Sequence, residues 1–455
     1  MTIQRLFAIV VAIFTLLPSY LISFLPSKTD TDFTLSEGEY ALTGAEGGFV
    51  YDFGGEKMEH FNYFGIKYSS DAYVKGTLTY VWGVDEISED FFLEPSDDGE
   101  FYSLIDGYLE KRKAHKVIKF EFMPLDKQTM EFSLKGTGFF NRELLPEEIY
   151  IENEEHKLGV NLNWGGALSY LEDKNSSVEA VKVNGVTRVD SAASDRYGVK
   201  AVSRSVNLIN ANDTGRLVQQ SYYGTGDCAE YTGGVYMDNK WNYNPVQGGN
   251  QYNEAAKIVD VRTAADYIYI KCRPLDWAKS AEFISPSYME ATYTLSEGIV
   301  KAQCRFVDYS GYPNATTTQE CPAFYCIEPL NRLVYYSGNS PWTGDDTLSY
   351  ENDLIFWPDA GYPHFPATEN WAAFIGEFDD SFGIGLYVPN EASFLAGVFS
   401  RGNCTSEDPA TESPTSYIAA VESYEFRSFN PTAYEFYLST GTADEIRDNF
   451  MAIAK

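Results

Sequence analysis

Apolar and polar positions alternate with a period of two through most of the chain. Ile299–Asp308 shows this best: Val300, Ala302, Cys304 and Phe306 alternate with Lys301, Gln303 and Arg305, as an antiparallel strand with one buried face requires. The same period recurs at 116–122, 130–135, 267–271, 289–295, 383–388 and 434–438. Turn chemistry such as Asn184-Gly185, Ser310-Gly311, Ser337-Gly338 and Asp359-Ala360-Gly361 separates the runs. A helical stripe is clear only at the end of the chain, where Thr442 and Glu445 have capping-box spacing and Ile446, Phe450 and Ile453 share one face. The pattern predicts an all-β protein closed by a short C-terminal helix.

Leu144-Leu145-Pro146-Glu147-Glu148 interrupts the strand-like text and marks a boundary. The expected organisation is a leader at 1–28, an N-terminal β-sandwich of jelly-roll type at 29–147, and a large antiparallel super-β-sandwich at 148–455. The second part is too long for an ordinary sandwich and too poor in helical patterns for a barrel of alternating strands and helices.

Residues 1–28 carry Arg5 followed by a broken apolar run from Leu6 to Leu25, the pattern of a signal for the secretory route, although its length would also suit an uncleaved membrane anchor. A secreted or cell-surface location is the expectation. Six cysteines in an exported chain permit disulfides, with Cys321–Cys326 geometrically easiest, while Cys304 on an apolar strand face reads as a plain core thiol.

With 34 basic and 66 acidic side chains the net charge is −32, which disfavours nucleic acid and anionic lipid as partners. It also favours neutral glycans over polyuronates unless the cleft is locally basic. With 34 Tyr, 30 Phe and 7 Trp, there are enough rings to fill a core and line a binding face as well. No phosphate-binding glycine loop, Gly-x-Ser-x-Gly or zinc-type cysteine and histidine spacing occurs, so nucleotide enzymes, α/β-hydrolases and structural zinc find no support. Asp345-Asp346 and Asp379-Asp380 could hold calcium, but surface acidity accounts for them as well, and no cofactor is expected.

The candidate chemistry gathers at 210–250, where Asp213, Arg216, Gln219, Gln220, Tyr222 and Tyr223 are followed by Trp241, Asn244 and Gln247. Planar amides and a guanidinium pair with sugar hydroxyls, and aromatic rings stack on pyranose faces. A loop folded on itself by Asx-turns is the alternative. Gln319-Glu320 and Glu369-Asn370-Trp371 place acids at strand starts, as glycosidic cleavage requires of its proton donor and its base or nucleophile. A polysaccharide lyase would instead need a Tyr or His base, with Tyr222, Tyr223 or His364 available, and Arg216 or an amide to neutralise a uronate carboxylate.

Three phrases, at 157–169 around Trp164, at 213–224 and at 241–249, resemble a group of exported microbial proteins. In size and strand pattern residues 148–455 are also similar to the galactose-mutarotase-like super-sandwich of many glycoside hydrolases and polysaccharide lyases. The resemblance implies that fold, preceded by an accessory sandwich. It does not imply epimerase activity, because the chain lacks the pair of cleft histidines that mutarotases use.

The expectation is a secreted carbohydrate-active protein hydrolysing glycosidic bonds, with Asp213, Glu320 and Glu369 as catalytic carboxylates. Trp164, Arg216, Gln219, Gln220, Tyr222, Trp241, Asn244, Gln247 and Trp371 would bind substrate. A lyase is the second reading, and a non-catalytic glycan-binding or surface structural protein the third.

Overall fold

The computed structural model describes residues 33–455 except 56, 106–112, 144, 176, 224–229, 232–233, 236–243, 279–284, 297, 313, 346, 357–362 and 378–379. The leader, Trp241, Cys228, Asp346, Asp379 and the turn at 359–361 therefore lie outside the described residues.

The chain folds as two successive β-sandwiches. In the first, a four-stranded sheet ordered Ser36–Glu37, Phe132–Phe140, Tyr63–Ser70, Ser96–Leu104 faces a six-stranded sheet centred on Ala114–Pro124 and Val74–Trp82. Aromatic side chains fill the space between them: Phe64, Phe91, Phe101, Phe120 and Phe122 form one buried cluster. Each such ring contributes roughly 1.5–3 kcal/mol on burial.

The second sandwich has two nine-stranded sheets. The front sheet runs Glu148–Glu152, His156–Asn161, Ala167–Asp173, Val218–Gln219, Ala323–Ile327, Thr415–Phe426, Ser393–Phe399, His364–Pro366, with Ala315–Glu320 pairing the far half of Thr415–Phe426. The back sheet runs from Lys257–Thr263 through Ser287–Ser296, Ile299–Asp308 and Thr432–Gly441 to Trp371–Gly376, Leu330–Tyr335 and Ser349–Glu351. All the pairings are antiparallel, and Ile299–Asp308 pairs on both sides, as its alternation predicts. Val300, Ala302, Cys304 and Phe306 meet Ile418, Ala420, Phe324 and Ala396 of the front sheet in one core.

The C-terminal helix Ala443–Ala454 starts with the expected capping box, Thr442 accepting from the Glu445 N–H and Glu445 accepting from the Thr442 N–H. Its Ile446 and Phe450 pack on the outward face of the back sheet with Trp371, Ala373 and Tyr387. Gly385 makes that approach possible: a Cβ there would stand 2.6 Å from Ile446.

The first sandwich docks on the other half of the same outward face, where Val259, Tyr288, Val307 and Tyr309 join its aromatic core. Polar groups fix the contact. The Tyr63 hydroxyl donates to Asp260 at 2.5 Å, and Arg305 bridges Glu94 at 2.5 Å and Glu290 at 3.0 Å. Burial alone would raise the Glu290 carboxyl, but Lys271 and Arg305 outweigh it and hold the group at about 2.

The cysteines correct one expectation. Cys272, Cys304, Cys321, Cys326 and Cys404 are all buried free thiols, so the Cys321–Cys326 bridge is not formed. Cys326 points into the core with Phe324, on a strand whose side chains alternate between core and exterior.

Candidate functional site

Strand alternation that fills the core from one face of the front sheet builds a second surface on its other face. In Thr415–Phe426, Ile418 and Ala420 face the core, while Tyr417, Ala419 and Val421 face outward. In Ala323–Ile327 the outward positions are Ala323 and Tyr325, and in Ser393–Phe399 they are Leu395, Gly397 and Phe399. Register places Tyr325, Tyr417 and Gly397 side by side across three adjacent strands.

Gly397 leaves room for a ring above it. A Cβ at that position would lie 2.5 Å from Phe356. Phe356 therefore settles between Phe399, at 4.6 Å between centroids, and Tyr417, at 5.5 Å. Tyr417 in turn meets Tyr325 at 4.4 Å. Arg216 closes the circuit, its guanidinium carbon 5.2 Å from the Tyr325 centroid and 5.8 Å from that of Phe399. Four rings and one cation thus form a half-buried box.

The Arg216 side chain is the unusual member. Its Nε has no hydrogen-bond partner, and the guanidinium pairs with no carboxylate among the described residues. A group with five donors is normally matched to acceptors when it leaves bulk water. Asp213 shapes the turn that delivers it: Oδ1 accepts the Gly215 N–H at 2.9 Å and the Arg216 N–H at 3.1 Å, and Oδ2 accepts from Asn212 at 3.1 Å.

Glu320 stands at the end of Ala315–Glu320, opposite Val421 and therefore on the same outward face. The Tyr417 hydroxyl donates to its Oε2. Tyr223 is held alongside, its N–H donating to the Gln319 side chain at 2.7 Å and its carbonyl accepting from it at 3.1 Å. Burial pushes the Glu320 carboxyl above the usual carboxylate range, against hydrogen bonds from Tyr417 and Tyr223 that favour the ionised form. One edge of the residue still reaches solvent. His364 lies exposed on the same face, paired with Leu395.

The other nominated residues do not join this face. Glu369 is fully buried behind the back sheet, under the C-terminal helix, where it accepts from Arg447 Nε at 2.9 Å and Nη2 at 2.8 Å, from Trp371 Nε1 at 3.0 Å and from the Trp342 N–H at 2.7 Å. Every lone pair within reach is spent on a structural clamp, so neither Glu369 nor Trp371 meets substrate. Asp213 is committed to its turn rather than to catalysis.

Gln219, Gln220, Asn244 and Gln247 are buried. Gln219 donates to the carbonyls of Thr214 and Arg216, Gln220 to that of Glu290, and Gln247 accepts from the Gln220 N–H. The three glutamines satisfy backbone groups that a buried loop would otherwise orphan. Tyr222 is sealed between Phe306 and Phe426, with its hydroxyl pushed well above its ordinary value by burial, which removes it as a base. Trp164 stays half-buried in the 3-10 turn Leu162–Trp164, apart from the box. Of the nominated set, the structure brings Arg216 and Glu320 to one face. Sequence reasoning missed Tyr325, Tyr417, Phe356 and Phe399, and the outward phase of the three strands is the signal that could have found them.

No family model matches the chain, and none of the curated proteins matches it. Solved structures similar to it include a putative aldose 1-epimerase from Escherichia coli K12, with 8% identity and a TM-score of 0.37 over 65% of this chain and 99% of that one. Another is galactose 1-epimerase from Lactobacillus acidophilus NCFM, with 10% identity and a TM-score of 0.35 over 67% and 97% of the two chains. A GH36 α-galactosidase from Geobacillus stearothermophilus matches at 10% identity with a TM-score of 0.34, over 65% of this chain and 40% of that one.

Proposed function

We propose that the protein is an exported carbohydrate-active enzyme that cleaves glycosidic bonds on the outward face of the front sheet. One observation carries the reading: a carboxyl whose hold on its proton is strengthened by burial lies, among tyrosines, on the same face as an arginine with unspent donors set in aromatic rings. Glu320 would give its proton to the leaving glycosidic oxygen, the task for which a raised carboxyl value is suited. Arg216 would bind substrate oxygens, with Tyr325 and Phe399 offering the half-exposed ring surface that sugar faces stack on. Tyr223 and Tyr417 would orient the acid through its hydrogen bonds. Activity would persist at acid pH and fall as pH rises through the raised Glu320 value.

Hydrolysis also needs a second group to activate water or attack carbon. Asp213 and Glu369 do not supply it. The unpaired guanidinium of Arg216 favours β-elimination as a second reading, because it suits the carboxylate of a uronic acid, with the half-exposed Tyr223 as base in place of the sealed Tyr222. Incubation with a panel of neutral and uronate-containing polysaccharides separates the two. New reducing ends without an unsaturated-uronate chromophore indicate hydrolysis, and the chromophore indicates elimination. Binding without either product would reduce the face to a glycan-recognition surface.

A further inference from the structure

The first sandwich has an opening of its own, on a different part of the molecule from the Glu320 face. It lies where the two sheets part, between the N-terminal segment, the edge strand Lys57–Phe61 and strand Phe132–Phe140, and encloses about 390 Å3. That is within the roughly 300–1,000 Å3 common for small-molecule sites. Its floor is aromatic. Tyr40 and Tyr51 meet edge to face at 5.1 Å, and Tyr51 and Phe53 at 4.7 Å, so the rings form a corner rather than a flat stack. All three stay half-buried although the core beneath them is filled by other phenylalanines.

The rim is polar but carries no Lys or Arg among the described residues. Glu59 and His60 are exposed on the edge strand, and Asn141 lies at the mouth. The Tyr40 hydroxyl is spent on the Ser36 carbonyl and lies 3.3 Å from the Thr137 hydroxyl, which fixes the ring in place. A carboxylate at the rim repels phosphate, sulfate and uronate. The remaining ligand chemistry is a neutral polyol with one apolar face: its C–H groups lie on the rings, and its hydroxyls pair with planar carboxylate and amide groups.

We propose that this pocket binds a neutral sugar residue of a glycan, as a recognition site independent of the cleavage proposed above. Two sites on one chain would let the first sandwich hold a polymer while the second works on it, raising effective concentration without new contacts at the reacting bond.

Native gel electrophoresis of the full chain, in gels cast with galactomannan, laminarin or hydroxyethyl cellulose, tests this. Retardation is expected in at least one gel. Measured in an Arg216→Ala background, where the other face is disabled, it should weaken at least fivefold for Tyr51→Ala and Glu59→Gln. Glu59 is exposed, so Glu59→Gln should keep the wild-type melting temperature, and it decides the matter where Tyr51→Ala fails to fold. Retardation in none of the gels, retardation that survives Glu59→Gln in that background, or retardation wholly lost with Arg216→Ala alone overturns the proposal. A titration with choline that shifts the NMR signals of these rings while the gels show nothing also overturns it, by assigning the aromatic corner to a quaternary ammonium.

Discussion

Glu369→Gln separates a structural carboxylate from a catalytic one. The wild-type side chain is wholly buried and takes four hydrogen bonds, two of them from Arg447, whose own side chain is buried in the helix that closes the back sheet. Removing one charge leaves the Arg447 guanidinium only partly compensated, by Asp345 at 3.5 Å. Breaking a buried pair in this way costs about 3–5 kcal/mol. At roughly 2–4 °C per kcal/mol for domains of 150–250 residues, the melting temperature should fall by on the order of 10 °C. Glu369→Leu combined with Arg447→Met should recover only the part due to the unpaired charge, because the Trp371 Nε1–H and the Trp342 N–H still lose their acceptor. The assays are urea unfolding and glycan cleavage per folded molecule. Activity should persist where the protein is folded. A variant of wild-type stability that has lost cleavage would refute the reasoning and return Glu369 to the catalytic set.

Other consequences follow from the same interactions. Stability should be full above about pH 4.5 and decline by on the order of 3 kcal/mol as pH falls toward 2, because unfolded Glu290 takes up a proton at its ordinary value of 4.5 while folded Glu290 holds out to about 2; Glu290→Gln should flatten that slope in urea titrations across pH. Reducing agent should leave the melting temperature unchanged, since the described cysteines are thiols, and a shift of several degrees would reveal a bridge. Gly397→Val should push Phe356 off its seat and weaken glycan binding more than it lowers stability, a split readable by calorimetry beside affinity measurements.

What could be read from the chain was local. The alternation at Ile299–Asp308 lies in neighbouring residues, and the Thr442–Glu445 capping box spans one turn, so both were legible. The aromatic box was not, because it draws on separate segments and each of its rings reads alone as an ordinary strand residue. Glu369 before Trp371 looks like an acid beside a sugar platform, yet its partner Arg447 lies 78 residues further on. The amides at 219–220 and 247 were visible as a polar cluster. Their targets are backbone carbonyls and N–H groups that burial leaves in need of partners, and sequence does not show which groups will be buried.

The most direct measurement is the initial rate of glycan cleavage by Glu320→Gln on the polysaccharide that the wild-type protein degrades, with circular dichroism and melting temperature confirming the fold. A positioned general acid contributes about 10²–10⁴-fold, and the account predicts a loss of that size at unchanged stability. A variant that cleaves at the wild-type rate would contradict it.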